Sequence, residues 1–230
     1  IVASIEARMN SSRLPGKVLK TIQGETMLEV MIKRVKSSCQ IDDIIIATTD
    51  NPLDDPIEEL CKMLNVKFFR GSEVDVLKRV LEAQKSLGSD IVVELTGDCP
   101  LIDPEIIDRT IEMFLKEQPL VDYATSIQVP NRLMPDGMDV DVFWLDELDA
   151  ISKTVFDKKV REHISPYFWQ SGNFACAFLN MQKKHIRNKF LRITLDTSED
   201  FERIKDVHEA LKYKGIYSLE DILLYFDSKN

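Results

Sequence analysis

The sequence is short of the features that mark several broad protein classes. Its four cysteines, Cys39, Cys61, Cys99 and Cys176, form no CxxC pair, which argues against a zinc site or a disulfide framework and fits a reducing compartment. Positive charge is in deficit: 30 Lys and Arg stand against 39 Asp and Glu, giving a net charge of −9. Binding nucleic acid takes a basic face, so that function class is disfavoured. No apolar run approaches the ~20 residues that cross a bilayer, and no signal-peptide pattern is present. A soluble, cytoplasmic protein with no nucleic-acid or membrane partner is expected. The chain opens at Ile1 without Met, so one or more residues are expected ahead of it. A Walker loop is absent, no glycine-rich dinucleotide fingerprint follows a strand, and there is no repeat, low-complexity tract or evident linker. The 230 residues suffice for one α/β domain with a sizeable core.

Apolar, β-branched runs alternate with amphipathic helical patterns. Strands are predicted at Ile1–Ile5, Asp43–Thr48, Val66–Phe69 and Asp90–Leu95, separated by helices at Thr26–Ser37, Pro56–Leu64 and Val74–Ser86. Asp103 and Pro104 open a fourth helix that runs to about Lys116. This order, with continuously apolar strands, implies a mostly parallel sheet covered by helices on both faces. After residue 120 the pattern changes. Strands are predicted at Asp122–Ile127, Met138–Phe143 and Phe174–Leu179, with a helical segment over Asp157–Gln170. We expect this small α+β insertion, about 120–190, to form a subdomain shaping a second substrate site. Leu191–Leu195 then reads as a core strand, Ser198–Lys212 as a helix with acidic residues at its start, and Leu219–Phe226 as a closing helix.

The first strand opens into Ala7-Arg8-Met9-Asn10-Ser11-Ser12-Arg13-Leu14-Pro15-Gly16-Lys17. Two arginines, a lysine, two serines and a Pro-Gly turn make a loop suited to phosphate: hydroxyls and backbone N–H groups donate, and cations offset charge. By composition alone, a solvated basic loop reads equally well.

This loop resembles the signature of the cytidylyltransferases that activate acidic sugars, most closely the spore-coat-polysaccharide, SpsF-type branch. The resemblance continues in family order through Ala47–Asp50, Phe68–Arg79, Glu94–Glu105, Pro135–Phe143, Arg161–Tyr167 and Leu191–Phe201, so it spans nearly the whole chain. It implies a Rossmann-like, nucleotide-diphospho-sugar transferase type of fold. It implies transfer of CMP from CTP to a sugar, with release of pyrophosphate, for cell-surface polysaccharide or glycan synthesis. It also implies Mg2+ as cofactor and a homodimer.

The resemblance also assigns residues. Asp98 and Asp196 correspond to the family's metal ligands. Each falls just past a predicted strand, where hard oxygen ligands could converge although far apart in sequence; read locally, Asp98 is a turn residue and Asp196 a helix-entry residue. Arg13 and Lys17 correspond to triphosphate contacts, and with Asp98 they form the expected catalytic set. Arg8, Ser11 and Ser12 are further phosphate candidates. For the base and ribose the candidates are Thr48, Thr49, Asp50, Thr96 and Gly97, with Arg70 nearby, although Thr-Thr-Asp after a strand also makes an ordinary βα turn. For the sugar they are Arg132, Asp136, Asp139, Asp141, Glu162 and His163. Asp139 and Asp141 alternate and so could meet one ligand, and a half-buried strand shows the same alternation. His185 and His208 are expected at the surface, and Cys99 is expected only to pack.

The chain departs from the family in two places. Glu94 stands where many relatives have arginine, and Asn131-Arg132-Leu133 replaces a more usual Arg-x-Tyr. The acceptor sugar therefore cannot be copied from a relative. Alternatives are another base specificity, a nucleotide-sugar-dependent glycosyltransferase using Asp139-Val140-Asp141, or a non-catalytic nucleotide-binding scaffold or sensor.

Overall fold

A computed structural model describes residues 1–128, 132–180 and 190–229. These residues form nine strands and nine α-helices. The strands are β1 Val2–Glu6, β2 Thr21–Ile22, β3 Glu25–Thr26, β4 Asp43–Thr49, β5 Lys67–Gly71, β6 Ile91–Thr96, β7 Tyr123–Thr125, β8 Asp141–Trp144 and β9 Cys176–Phe178. The helices are α1 Met27–Val35, α2 Asp55–Met63, α3 Val76–Ser86, α4 Pro104–Lys116, α5 Leu145–Thr154, α6 Lys158–Glu162, α7 Ser165–Gln170, α8 Ser198–Leu211 and α9 Leu219–Asp227.

Seven strands form one sheet in the order β5-β4-β1-β6-β8-β7-β9. The first four are mutually parallel, β8 runs antiparallel to both its neighbours, and β9 runs parallel to β7. The expected mostly parallel sheet is therefore present, and strands from the 120–190 region extend it. Alternation along β1 shows why both faces are covered. Ala3 and Ile5 join a core with Met27, Met31, Ile106, Ile111 and Ile204. Val2 faces the other way, into a core with Leu77, Val80, Leu148, Tyr123 and Phe168. Helices thus bury apolar stripes against each face of the sheet.

Four expectations need correction. Leu191–Leu195 joins no sheet, although Ile193 and Leu195 are fully buried. Its backbone pairs with loops at the strand ends instead: Ile193 N donates to Asp136 O, Asp136 N to Leu191 O, and Leu195 N to Asp98 O. Gly137, at φ +110°, permits this, since a Cβ there would lie 2.9 Å from the Ile193 carbonyl carbon. Residues 138–140 lie outside β8, because the Ser126 hydroxyl donates to Met138 O and accepts from Val140 N, replacing a strand partner. The single helical segment over Asp157–Gln170 is two short helices, α6 and α7. Pro166 supplies no backbone N–H, so the chain breaks at His163 and restarts at Ser165. His208 is buried, with Nδ1 3.0 Å from the Tyr217 hydroxyl, and not at the surface as expected. His185 and Asn131 lie outside the described residues.

Candidate active site

The loop after β1 is held from beneath. Met9 N donates to Asp54 Oδ1 at 2.6 Å, and Met9 O accepts from Ser11 N and Gly16 N at 2.9 and 2.8 Å. Gly16 sits at φ +70°, and Leu14 and Val18 are buried beside it. The loop is therefore curled back on itself, its apolar members anchored inward and its polar members turned to a cleft.

That cleft has a volume of about 280 Å³ at the carboxyl ends of the parallel strands. Arg8, Ser11, Ser12, Arg13 and Lys17 line it from the loop, and Thr96, Gly97 and Asp98 from the end of β6. Asp196 reaches it from the turn before α8, and Glu162 and His163 from the α6–α7 junction. The fold thus brings together residues 188 positions apart, from Arg8 to Asp196. His163 lies at the C-terminal cap of α6, in an extended conformation, not on a helix face.

At the cleft's charged end Lys17 Nζ lies 3.0 Å from Asp98 Oδ2 and 3.0 Å from Asp196 Oδ1. Arg13 Nη2 lies 2.8 Å from Asp196 Oδ1, and Arg192 pairs with the other oxygen of Asp196. The Asp196 position is itself fixed, because its N–H and that of Thr197 donate to Asp200 Oδ2 at 3.1 and 2.9 Å. Thr197 and Asp200 form a reciprocal cap that starts α8. Gly97 is required where β6 meets β1: its N–H donates to Glu6 O at 2.9 Å, and a Cβ there would collide with that oxygen.

Two carboxylates converging on one ammonium is a donor set that also suits a hard divalent cation. Mg2+ commonly takes one or two carboxylates and completes its shell with phosphate and water. Among the described residues no group of three or more His, Cys, Asp or Glu side chains could hold a metal. The fit is therefore to a cation shared with a phosphate ligand and not to an all-protein cage.

Other expected residues are placed elsewhere. Thr48 and Thr49 are fully buried; the Thr49 hydroxyl and N–H both donate to Asp54, so this threonine braces the loop from below. Asp50 follows on the same turn, its N–H donating to Gly71 O. Arg70 donates to the carbonyls of Thr49 and Asn51 at 2.9 and 2.8 Å and pairs with Asp55 and Glu58. None of these four lines the cleft; strand-end geometry put them one βα turn too far along the sheet. Asp139 and Asp141 have different partners. Asp139 pairs with Arg132, whereas Asp141 is buried and accepts from the Tyr123 hydroxyl. Arg132 and Asp136 do not line the cleft but are linked to its charged end through Arg192, which pairs with Asp136 at 2.9 Å and also with Asp196.

Two cleft residues were not anticipated. Glu6, the last residue of β1, and Arg79 on α3 both line it. Glu6 shares a hydrogen bond with Glu94 behind it, and the Ser165 hydroxyl donates to Glu94 at 2.8 Å. Register explains the grouping: Ser4, Glu94, Asp141 and Thr125 stand side by side across four strands on one face of the sheet. Burial, then the charge of Glu6, pushes the Glu94 carboxyl well above the usual range, and burial also raises Glu6. Both carboxyls are therefore shifted towards their protonated forms in the fold. Arg79 is 2% exposed and donates to Ser72 O at 2.6 Å, while its Nε has no hydrogen-bond partner among the described residues. The signal was available for Arg79, which closes the Phe68–Arg79 block, but not for Glu6, whose position reads as an ordinary strand end. Burial drives the Cys99 thiol well above its ordinary value, in keeping with packing alone.

Comparison with known proteins points the same way. The sequence model of a family described as cytidylyltransferase matches residues 2–222. A cytidylyltransferase structure from Leptospira borgpetersenii superposes with a TM-score of 0.91 and 34% identity, covering 99% of this chain and 94% of that one. An uncharacterized protein of Methanocaldococcus jannaschii is 38% identical over 201 residues, 87% of this chain and 80% of its own length. The spore coat polysaccharide biosynthesis protein SpsF of Bacillus subtilis is 29% identical over 228 residues, 97% of this chain and 92% of its own.

Proposed function

Because this chain belongs to the cytidylyltransferase family, we propose that it transfers CMP from CTP to an acidic sugar used in a surface polysaccharide or glycan. A sugar hydroxyl oxygen forms the new bond to the α-phosphorus, the bond to the bridging oxygen breaks, and pyrophosphate leaves. The hydroxyl proton passes to water. The observation that carries this reading is the convergence of Asp98 and Asp196 on the Lys17 ammonium, in a loop that also bears Arg8, Arg13 and two serines.

Arg13 and Lys17 hold the β- and γ-phosphates and offset charge on the leaving group. Ser11 and Ser12 donate to phosphate oxygens. Asp98 and Asp196 would hold Mg2+, which when bound would neutralise phosphate charge. Thr96 and Gly97 lie where the nucleoside enters, and Glu162 and His163 face the acceptor. The glycosyltransferase alternative loses its support, since the Asp139 and Asp141 carboxylates are engaged by different partners. A scaffold or sensor that had lost turnover would not need this cation set intact.

The same reading carries a cytoplasmic setting, where CTP is made, and a homodimer. Light scattering of the purified chain tests the dimer. Calorimetry with CTP, UTP, ATP, GTP and dTTP, with and without Mg2+, tests the reaction class. Selective, Mg2+-dependent CTP binding is expected. Preference for another triphosphate discards the cytidyl assignment.

A further inference from the structure

Lys17 holds two positions in the chemistry at once, and the geometry separates them. Its ammonium lies 3.0 Å from carboxylates on both Asp98 and Asp196, the two residues that would ligate a divalent cation. Arg13 and Arg192 also pair with Asp196, but among the described residues Lys17 is the ion-pair partner of Asp98. It is thus the cation that bridges the pair. Both the ammonium and Asp196 are largely withdrawn from solvent, with side-chain exposures of 13% and 7%. Two such carboxylates held together without a counter-charge would repel, at a cost that solvent screens only partly.

We propose that Lys17 is an internal counter-ion that occupies the metal position until a bound triphosphate draws its ammonium away. The inference rests on the reading of Asp98 and Asp196 as metal ligands. The backbone of Lys17 is fixed: Gly16 N donates to Met9 O, Lys17 N donates to Leu14 O, and Val18 packs into the core. Only the four-carbon stem is free to swing, and a compact ammonium on a flexible stem is suited to changing partners. Among the described residues, the loop side of the cleft presents Arg8, Ser11, Ser12 and Arg13 and no anion for it to move to. A triphosphate provides one. Metal and nucleotide then favour each other through this side chain, because each takes over one of its interactions. In the nucleotide-free protein a divalent cation must displace the ammonium unaided, so the carboxylate pair is protected from metal until nucleotide arrives.

The consequence runs against the usual expectation that removing an active-site lysine weakens binding. Mn2+ binding to the nucleotide-free full chain, followed by electron paramagnetic resonance of the free ion, should be at least about tenfold tighter in Lys17→Met than in wild type, since a competing unit charge a few ångströms away is gone. Lys17→Arg, which restores the charge, should return the affinity to the wild-type level. Adding Asp98→Asn to Lys17→Met should remove the gain and locate it at the carboxylate pair. If Lys17→Met does not fold, Lys17→Gln carries the same expectation. Equal or weaker Mn2+ binding by the folded uncharged variant, while wild type binds Mn2+ together with CTP, overturns the inference alone. Absence of Mn2+ binding to either protein, with or without CTP, overturns the metal reading and the inference with it.

Discussion

At the residue scale the site is governed by charges brought close and then balanced. Glu94 is the clearest case. In the unfolded chain its carboxyl titrates near 4.5, whereas burial and the neighbouring Glu6 hold it well above that value in the fold. Between those two values the folded state keeps a proton that the unfolded state releases. This group's contribution to stability is therefore most favourable below about pH 4.5 and declines as pH rises through the folded-state value. Glu94→Gln keeps a hydrogen-bonding partner for Glu6 and Ser165 without the second charge. Its melting temperature should exceed wild type by a margin that widens from pH 5 to pH 8; a constant margin would show that the pair does not share a proton. Gly97 is governed by space instead. Gly97→Ala forces β6 away from the Glu6 carbonyl and should cost about 1–3 kcal/mol in urea unfolding, the usual range for overpacking at a tight contact. Loss of CTP binding should accompany it, because Asp98 follows directly.

At the scale of elements, the α6–α7 junction is a short, irregular piece that forms one wall of the cleft. Among its side-chain ties, two reach across the cleft wall: Arg161 donates to Asp75 at 2.8 and 3.0 Å, and Ser165 donates to Glu94. Arg161 also caps the carbonyls of Ser152 and Val155 at 3.1 and 2.9 Å. Helices of five and six residues do not hold themselves; these bonds position Glu162 and His163. Arg161→Ala should raise the apparent KM for the sugar several-fold while leaving CTP affinity, read by calorimetry, within error of wild type. An equal loss of CTP binding would mean the junction supports the nucleotide side instead. Such an element is poorly legible in sequence. Pro166 marks the break, yet the apolar spacing of Val160, Ile164 and Phe168 continues across it and suggests one helix.

At the scale of the whole molecule, the cleft is assembled from the loop after β1, the end of β6, α3, the α6–α7 junction and the turn before α8. A ligand that bridges these parts stabilises the fold by mass action. At a hundredfold excess over Kd, CTP with Mg2+ should add about 2.7 kcal/mol and raise the melting temperature by roughly 5–10 °C. No shift with CTP, in a protein that melts cooperatively, would detach the cleft from nucleotide binding.

Much of this was open to inspection in the sequence, for identifiable reasons. β1, β4, β5 and β6 are short apolar runs between amphipathic helices, and such periodicity is local, so parallel layering followed from it. Arg8, Arg13, Lys17 and Asp98 lie in the loops that follow β1 and β6, and a parallel sheet brings those loops to one side; Asp196 reaches them from a segment outside the sheet, and only the family resemblance pointed to it. Contacts that depend on which neighbour a side chain meets were not legible. Thr49 and Arg70 stand at the same level of the sheet as the cleft residues, yet Asp54, Asp55 and Glu58 engage them. Leu191–Leu195 has the composition of a strand, yet its backbone partners are loops. Glu6 and Glu94 become a pair only because β1 and β6 lie in register on one face. Local pattern, set by side-chain periodicity, determined the layers, and local composition marked out the basic loop after β1. Tertiary structure alone decided which polar groups face the cleft and which are paired beneath it, because hydrogen bonds and charge balance are settled between residues that the chain's order keeps far apart.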